Sequence, residues 1–348
     1  MSILNTAKVE GNDRSKQLSD FLLKYAIYIV FALLVAVISI KEPEFLSIEN
    51  FRNILSMSST RIIIALGVGG ILITGGTDLS AGRQVGLAAV VSASMLQQLD
   101  YARRMYPQLQ QLPVWVPILI AMAVCAIIGL FNGFVVAILK VPPFIATLGT
   151  WLAVYGINSM YFDRPPYGAQ PIGGLDARFT NLGSGFIGRD SVYSLPYIVI
   201  IAIIVAVIVW VLYNKTVFGK NLYAIGGNPV AAKVSGVDVT KNLIYIYAFA
   251  GMLYGLAGCL EAARTGGATN NYGNMYELDA IAACVVGGVS TSGGIGTVPG
   301  MLIGVLIFSV INYGLTFIGM SPYLQLVVKG AIILAAVAID IRKYLTKK

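Results

Sequence analysis

Histidine is absent from the 348 residues, which removes the commonest general base and the commonest metal ligand. Charge is scarce: Asp, Glu, Lys and Arg make up 11% of the chain, against about a quarter in an ordinary soluble domain. Cysteine occurs three times, as Cys125, Cys259 and Cys284, each alone in an apolar run. Without C-x-x-C spacing these read as small buried hydrophobes, and no disulfide framework or metal site is expected. The G-x-x-x-x-G-K-[ST] phosphate loop is missing, as are H-E-x-x-H and any paired catalytic carboxylate motif. The nearest glycine cluster, Gly293-Gly294-Ile295-Gly296, has no lysine. The chain is therefore expected to bind no cofactor itself and not to be an enzyme.

Apolar sequence fills the gap: 57% of residues are hydrophobic and the mean hydropathy is +0.78. No single soluble core absorbs that much apolar surface, so lipid is the expected solvent for most of the chain. The apolar runs are about 16 to 22 residues long and do not alternate, which selects helices over a barrel. The expected fold is an all-α integral membrane protein, a single membrane domain over 1–348. About ten transmembrane helices are expected, near 25–40, 57–74, 80–97, 115–139, 144–160, 196–213, 243–262, 279–290, 298–318 and 323–340. The second and eighth are expected to be short and glycine-broken, at about 61–74 and 279–290. The net charge of +8 is placed between runs and at both ends, which suits a membrane surface and requires no nucleic acid.

Lysine and arginine bias sets the orientation. The tail 1–24 carries Lys8, Arg14, Lys16 and Lys24, and the C-terminus carries Arg342, Lys343, Lys347 and Lys348. Both termini are expected inside, and ten spans then place the loop 214–242, with Lys215, Lys220, Lys233 and Lys241, inside too. The connections 98–114 and 161–195 fall outside, although they carry Arg103, Arg104, Arg164, Arg178 and Arg189.

Residues 68–91 (VGGILITGGTDLSAGRQVGLAAVV) and 284–307 (CVVGGVSTSGGIGTVPGMLIGVLI) share a pattern. In each, an apolar segment runs into a Gly-Gly turn with hydroxyl side chains and then into a second apolar segment. Repeated glycine-interrupted spans point to a transport site. The bland alternative is close helix packing, as in Gly296-x-x-x-Gly300-x-x-x-Gly304.

The loop 214–242 reads NKTVFGKNLYAIGGNPVAAKVSGVDVTKN. Gly226 and Gly227 suit a turn, Asn228 an N-cap, Pro229 the first helical position and Gly236 the position just past the helix end. The result is a helix of about seven residues, too short to persist alone in water. Ala231, Ala232 and Val234 offer a small apolar surface beside Lys233, which fits a groove on a partner. Equally, it could rest on its own membrane domain.

A charge at mid-bilayer costs roughly 2.5 to 3.5 kcal/mol, so each ionisable residue in a span needs a partner or water. Asp78, with Arg83 five residues on, suits either an N-cap for the third span or a hydrated path. Glu261 and Arg264 are spaced for a same-face ion pair. Glu277 and Asp279 open the eighth span, where acids complement the helix end.

These stretches resemble permeases of the ribose/galactose/xylose branch of bacterial ABC importers. The resemblance runs through ITGGTDLSAGRQVGLAAVV at 73–91, FIATLGTWLAVYGINSMY at 144–161, ATNNYGNMYELDAIAACVVGGVS at 268–290 and INYGLTFIGMSPYLQLVVKGAI at 311–332. It implies residence in the bacterial cytoplasmic membrane and a two-fold pair of permeases. Inside, an ABC ATPase subunit would use ATP and Mg and dock on the loop helix; outside, a soluble sugar-binding protein would dock. A hexose of the galactose type is the implied cargo, with ribose, xylose or a nucleoside as alternatives. A sugar path needs amides, hydroxyls and aromatic faces. The candidates are Asp78, Asn132, Asn158, Asn270, Asn271, Tyr272, Tyr276, Glu277 and Asn312. An ion-coupled secondary transporter would also use broken repeat spans, but it would leave the capped loop helix unexplained.

Overall fold

The computed structural model describes residues 29, 31–164, 168–188 and 194–345, with side chains through 334. The N-terminal tail, Arg189, Lys347 and Lys348 lie outside the described residues, as does the start of the first expected span. Two compact units are present: one comprises 1–47 with 310–348, the other 48–309.

Thirteen α-helices are found among the described residues, with one 3-10 turn (Pro43–Leu46) between the first two: α1 (Phe31–Lys41), α2 (Ile48–Ile73), α3 (Ala81–Met95), α4 (Trp115–Ala137), α5 (Pro143–Phe162), α6 (Ala177–Ser184), α7 (Tyr197–Lys215), α8 (Val217–Gly227), α9 (Pro229–Val234), α10 (Val239–Thr265), α11 (Tyr276–Val286), α12 (Val298–Phe317) and α13 (Pro322–Leu345). Each of the ten apolar runs coincides with one of them. Five, α2, α4, α7, α10 and α12, are long and apolar enough to cross a membrane. The one small sheet among the described residues pairs β1 (Phe186–Ile187) with β2 (Leu195–Pro196) in antiparallel register, Phe186 facing Pro196.

In the larger unit, α10 is the central helix, packed on α4, α3, α2 and α6. Small residues let the backbones approach: a Cβ on Gly251 or Gly255 would strike the α4 backbone at Cys125 and Met122, and one on Gly133 would strike Ile244 of α10. This is how helices associate where lipid removes the hydrophobic drive between them. The helices at the periphery point apolar side chains outward: Ile127, Phe131, Leu152, Ile157, Ile203 and Val207 are all more than half exposed. In water such a surface would aggregate; facing lipid it is the solvated surface. In the smaller unit, Phe45 packs on Tyr313 and Phe317 with ring centroids 6.3 and 5.7 Å away.

Three expectations are corrected. The second span is neither short nor broken: α2 runs 26 residues through Gly67, Gly69 and Gly70. Those glycines admit Tyr254, Met301 and Tyr213 against the helix, so they serve packing, and the helix ends only at Ile73, with the chain turning at Gly75, where φ is +77°. The eighth is short as expected, 11 residues closed by Gly287 as its C-cap. The loop 214–242 contains an additional helix, α8, and Gly226 and Gly227 are its last two residues rather than a turn. Finally, 161–195 is not a plain loop. Ile172 and Ala268 exchange backbone hydrogen bonds of 2.9 Å, and α6 opens on Asp176, which accepts from Arg178 N. The Arg178 guanidinium, hydrogen-bonded to both Asp176 oxygens, holds that carboxyl down at about 2.

Candidate functional site

The α2–α3 connection, residues 74–80, is tied by side chains. Asp78 is fully buried, and its Oδ1 accepts from Ser80 N at 2.9 Å and Ser80 Oγ at 2.6 Å. Ser80 Oγ in turn accepts from Gln84 Nε2 and Asn132 Nδ2, both at 2.9 Å. Asn132 Oδ1 receives the Thr150 hydroxyl at 2.6 Å. Thr147 accepts from Leu79 N at 3.1 Å, and Tyr247 donates to Thr77 O at 3.2 Å. The chain of bonds fixes the turn to α4, α5 and α10. Ser80, not Asp78, is the N-cap of α3: the carboxylate lies two residues earlier and satisfies the cap residue, an Asx turn leading into the helix.

The α11–α12 connection, residues 287–297, holds its shape with backbone. Gly288, Gly293 and Gly294 have φ of +85°, +87° and +76°. Gly294 N donates to Ile73 O at 2.8 Å, so the two connections meet. The end of α8 lies on both. A Cβ on Gly226 would collide with Ile73 O and Gly294 N, and Tyr223 OH donates to Gly296 O at 2.9 Å.

Asn228 links α8 to α9. Extended at φ −161°, it closes the first helix and caps the second, its Oδ1 accepting from Val230 N and Ala231 N at 3.0 Å each. Pro229 opens α9, and Gly236 follows its end at φ +86°. Val230, Ala231 and Val234 are exposed, with Val230 at 72% and Val234 at 86%. Ala232 is buried, so α9 both rests on its own chain and presents an apolar edge.

Farther from α8 lies a charged cluster. Glu261 receives Arg264 at 2.8 Å, Thr60 at 2.9 Å and Tyr276 OH at 3.2 Å, which realises the expected Glu261–Arg264 pair. Arg61 covers the Tyr276 ring at 3.2 Å and reaches Asp279 at 3.7 Å. Arg83 lies over Trp151 and Tyr155 at 4.4 and 4.2 Å and donates to Asn274 at 2.8 Å. Glu277 accepts from Trp151 Nε1 at 3.2 Å. Both Glu277 and Asp279 sit in the first turn of α11.

The path candidates thus divide. Asp78 and Asn132 share the first network. Asn158 donates to Asn270 O at 3.3 Å, and Asn270 Nδ2 to Ser159 at 3.2 Å. Tyr276 and Glu277 belong to the charged cluster, Asn271 is exposed, and Asn312 belongs to the other compact unit. Sequence reasoning missed Arg61, Trp151, Tyr155, Asn274 and Tyr247. Trp151, Tyr155 and Asn158 recur at helical spacing on one face of α5, a signal that was available.

Residues 50–337 match the family described as branched-chain amino acid transport system / permease component. The galactose/methyl galactoside import permease of Haemophilus influenzae is 57% identical over 329 residues, 94% of this chain and 97% of that one. The galactose/methyl galactoside import permease of Escherichia coli is 57% identical over 333 residues, 96% and 98% of the two chains. The ribose import permease of Bacillus subtilis is 37% identical over 341 residues, 98% and 99%. No solved structure matches the chain. With the family covering most of its length and the long helices bearing lipid-facing surfaces, the chain belongs to the branched-chain amino acid transport system permease family.

Proposed function

We propose that this chain is the multi-pass permease of an ATP-driven importer in the bacterial cytoplasmic membrane, carrying galactose or a methyl galactoside inward. The observation that carries this reading is the near end-to-end likeness to the galactose/methyl galactoside import permeases, stronger than the likeness to the ribose permease. The partners are an ABC ATPase subunit, which binds ATP and Mg, an extracytoplasmic sugar-binding protein, and a second permease copy. Ten spans with both termini inside put α8 and α9 on the ATPase side.

The geometry of those two helices supplies a mechanism. The coupling residues are Gly226, Gly227, Asn228, Pro229, Ala231, Ala232 and Gly236. The ATPase grips the exposed edge of α9, and its closure moves α8. Because Gly226 lies against both glycine connections, the movement reaches α2–α3 and α11–α12 together. The sugar follows amide and hydroxyl groups from Asn270, Asn271 and Asn158 past Tyr276 and Glu277 towards Asp78 and Asn132. Chemistry on this chain is limited to binding and movement.

The test is reconstitution of the permease with its ATPase and binding protein in liposomes. Galactose uptake is expected to require ATP and to ignore proton and sodium ionophores. Uptake of ribose, xylose or a nucleoside in place of galactose would overturn the cargo, and ATP-independent uptake abolished by an ionophore would overturn the class. Ala231→Arg, on the exposed edge of α9, is expected to reduce uptake at least tenfold while the complex stays assembled. Unchanged uptake would reject the coupling role.

A further inference from the structure

Two helices of the larger unit are too short to cross a bilayer alone. With 15 and 11 residues, α3 and α11 rise about 22 and 16 Å, against a hydrocarbon core of about 30 Å. Their first turns abut: a Cβ on Gly82 would strike Glu277 Oε2 and Gly273 O. Arg83 is the third residue of α3 and Glu277 the second of α11, so each short helix brings one charge to the junction. Discontinuous helices that meet in this way form substrate sites in many transporters.

Neither charge is fully bonded. Arg83, 5% exposed, donates from Nη2 to Asn274, while its Nε and Nη1 are buried without a partner among the described residues. Glu277, also 5% exposed, receives Trp151 Nε1 at Oε1, and its Oε2 has no hydrogen-bond partner. Both groups meet the Trp151 side chain, yet they belong to none of the ion pairs among the described residues. One turn beyond Tyr155, the buried Asn158 also leaves its Oδ1 unbonded. The Glu261 cluster is the contrast: Arg264 and Tyr276 bond its Oε1 and Thr60 its Oε2. A buried ionic group that only holds helices together is saturated in that way, because an unbonded polar atom leaves a desolvation penalty uncompensated.

The unbonded atoms are of opposite kinds. Arg83 offers only donors, whereas Glu277 and Asn158 Oδ1 offer only acceptors. An anion would satisfy Arg83 and be repelled by Glu277, and a cation would do the reverse. A hydroxyl both donates and accepts, so a neutral polyhydroxyl ligand satisfies all of them together. Trp151 and Tyr155, both partly buried, supply a platform for it. Their rings lie under the Arg83 guanidinium at 4.4 and 4.2 Å, the place that the C–H face of a pyranose would take on an aromatic face. We infer, on the footing of the sugar-import reading above, that the junction of α3 and α11 is the sugar-binding point of the path: the pyranose displaces the Arg83 guanidinium from Trp151 and Tyr155, and its hydroxyls bridge Arg83 to Glu277. Without sugar, the guanidinium keeps the junction closed.

The complete importer, with its ATPase subunit and sugar-binding protein, is reconstituted in liposomes. ATP-driven uptake of galactose is compared with that of its monodeoxy analogues, each at a concentration that saturates the binding protein. The binding protein is common to parent and variants, so a change in the galactose-to-analogue ratio arises in the permease. Glu277→Gln keeps the size of the side chain but sets an amide donor where a sugar hydroxyl must donate. It is expected to lower galactose uptake about tenfold, the loss of one charged hydrogen bond. Uptake of the analogue that lacks the same hydroxyl should fall much less, so that the two sugars converge. A merely structural role would slow every sugar alike. Arg83→Lys, which keeps the charge but not the flat fork, is expected to narrow the ratio for a hydroxyl that accepts. Co-purification with the ATPase subunit checks folding, and if Glu277→Gln fails to assemble, Arg83→Lys carries the test. Galactose uptake by the parent with every ratio unchanged in the variants overturns the proposal and leaves the unbonded atoms to water. No galactose uptake by the parent rejects the cargo reading, and the proposal with it.

Discussion

The α2–α3 connection carries a fully buried carboxylate bound into a chain of side chains, whereas the α11–α12 connection has no charged residue and relies on backbone. In the second, Gly288 N donates to Val285 O, Val289 N to Cys284 O and Ser290 N to Ile295 O. The first is seven residues, three of them buried and one exposed; the second is eleven and more open, with three buried and four exposed, Ile295 at 49%. A turn made by side chains can be weakened in steps. One made by left-handed backbone tolerates little except glycine, because a Cβ there meets the following carbonyl. The two halves thus form one joint from different materials, joined where Gly294 N meets Ile73 O.

The largest expected effect comes from the residue that touches both. Gly226→Val would drive a side chain into Ile73 O and Gly294 N at once. Neither backbone atom can swing away as a flexible side chain could. Galactose uptake is expected to fall to background, with the purified chain melting well below the parent. Retained uptake would show that α8 does not need this approach. Asp78→Ala comes next and acts on the first connection alone. It leaves Ser80 N and Oγ without their buried acceptor, at roughly 1 to 3 kcal/mol. Asp78→Asn keeps an acceptor oxygen and should lose less, so a denaturation series ordering the parent above Asn above Ala checks the hydrogen-bond account. Equal loss in the two variants would mean that charge, not acceptance, matters.

The contrast between the halves also explains what the sequence could reveal. Helices were legible wherever a long apolar run forced the backbone to bond to itself, and among the described residues all ten runs proved helical. The α9 boundaries were legible because Asn228, Pro229 and Gly236 each do a local job that depends only on neighbours. The Glu261–Arg264 pair was legible for the same reason: three residues apart on one helix, the side chains must be close. By contrast, α8 was hidden because its Gly226-Gly227 end imitates a turn. Only its seat against Ile73 and Gly294 shows why small residues are needed there. Thr60 with Glu261 and Arg83 with Asn274 are 201 and 191 residues apart, and no local periodicity encodes such pairs. Asp78 was misplaced by two residues because an acid before a helix fits both a cap and an Asx turn, and the choice is made by Gln84 and Asn132 converging on Ser80.

The second connection is best probed at Gly294. With φ at +76°, Gly294→Ala requires a left-handed alanine, at roughly 1 to 2 kcal/mol. The new Cβ would also stand 3.1 Å from the Gly227 backbone, so the contact with α8 should loosen as well. The expected result is a moderate drop in melting temperature together with reduced uptake per ATP hydrolysed. If stability falls while that ratio is unchanged, the second connection is a scaffold and only the first takes part in coupling.

The smallest effect separates the joint from the helix that is proposed to drive it. Asn228→Ala removes two capping hydrogen bonds of 3.0 Å from an exposed, six-residue helix. A lost cap typically costs about 1 kcal/mol, and Pro229 still favours the first turn. Global melting should barely change, because the α8 contacts with both connections remain. Amide exchange in α9, measured at Ala232 to Gly236, should nevertheless speed up severalfold, since a helix this short has little stability of its own. Asn228→Asp, which keeps the acceptor, should restore slow exchange. If exchange rises equally in α8 and around Gly75 and Gly294, α9 and the two connections form one cooperative unit, and the distinction between driver and joint is lost.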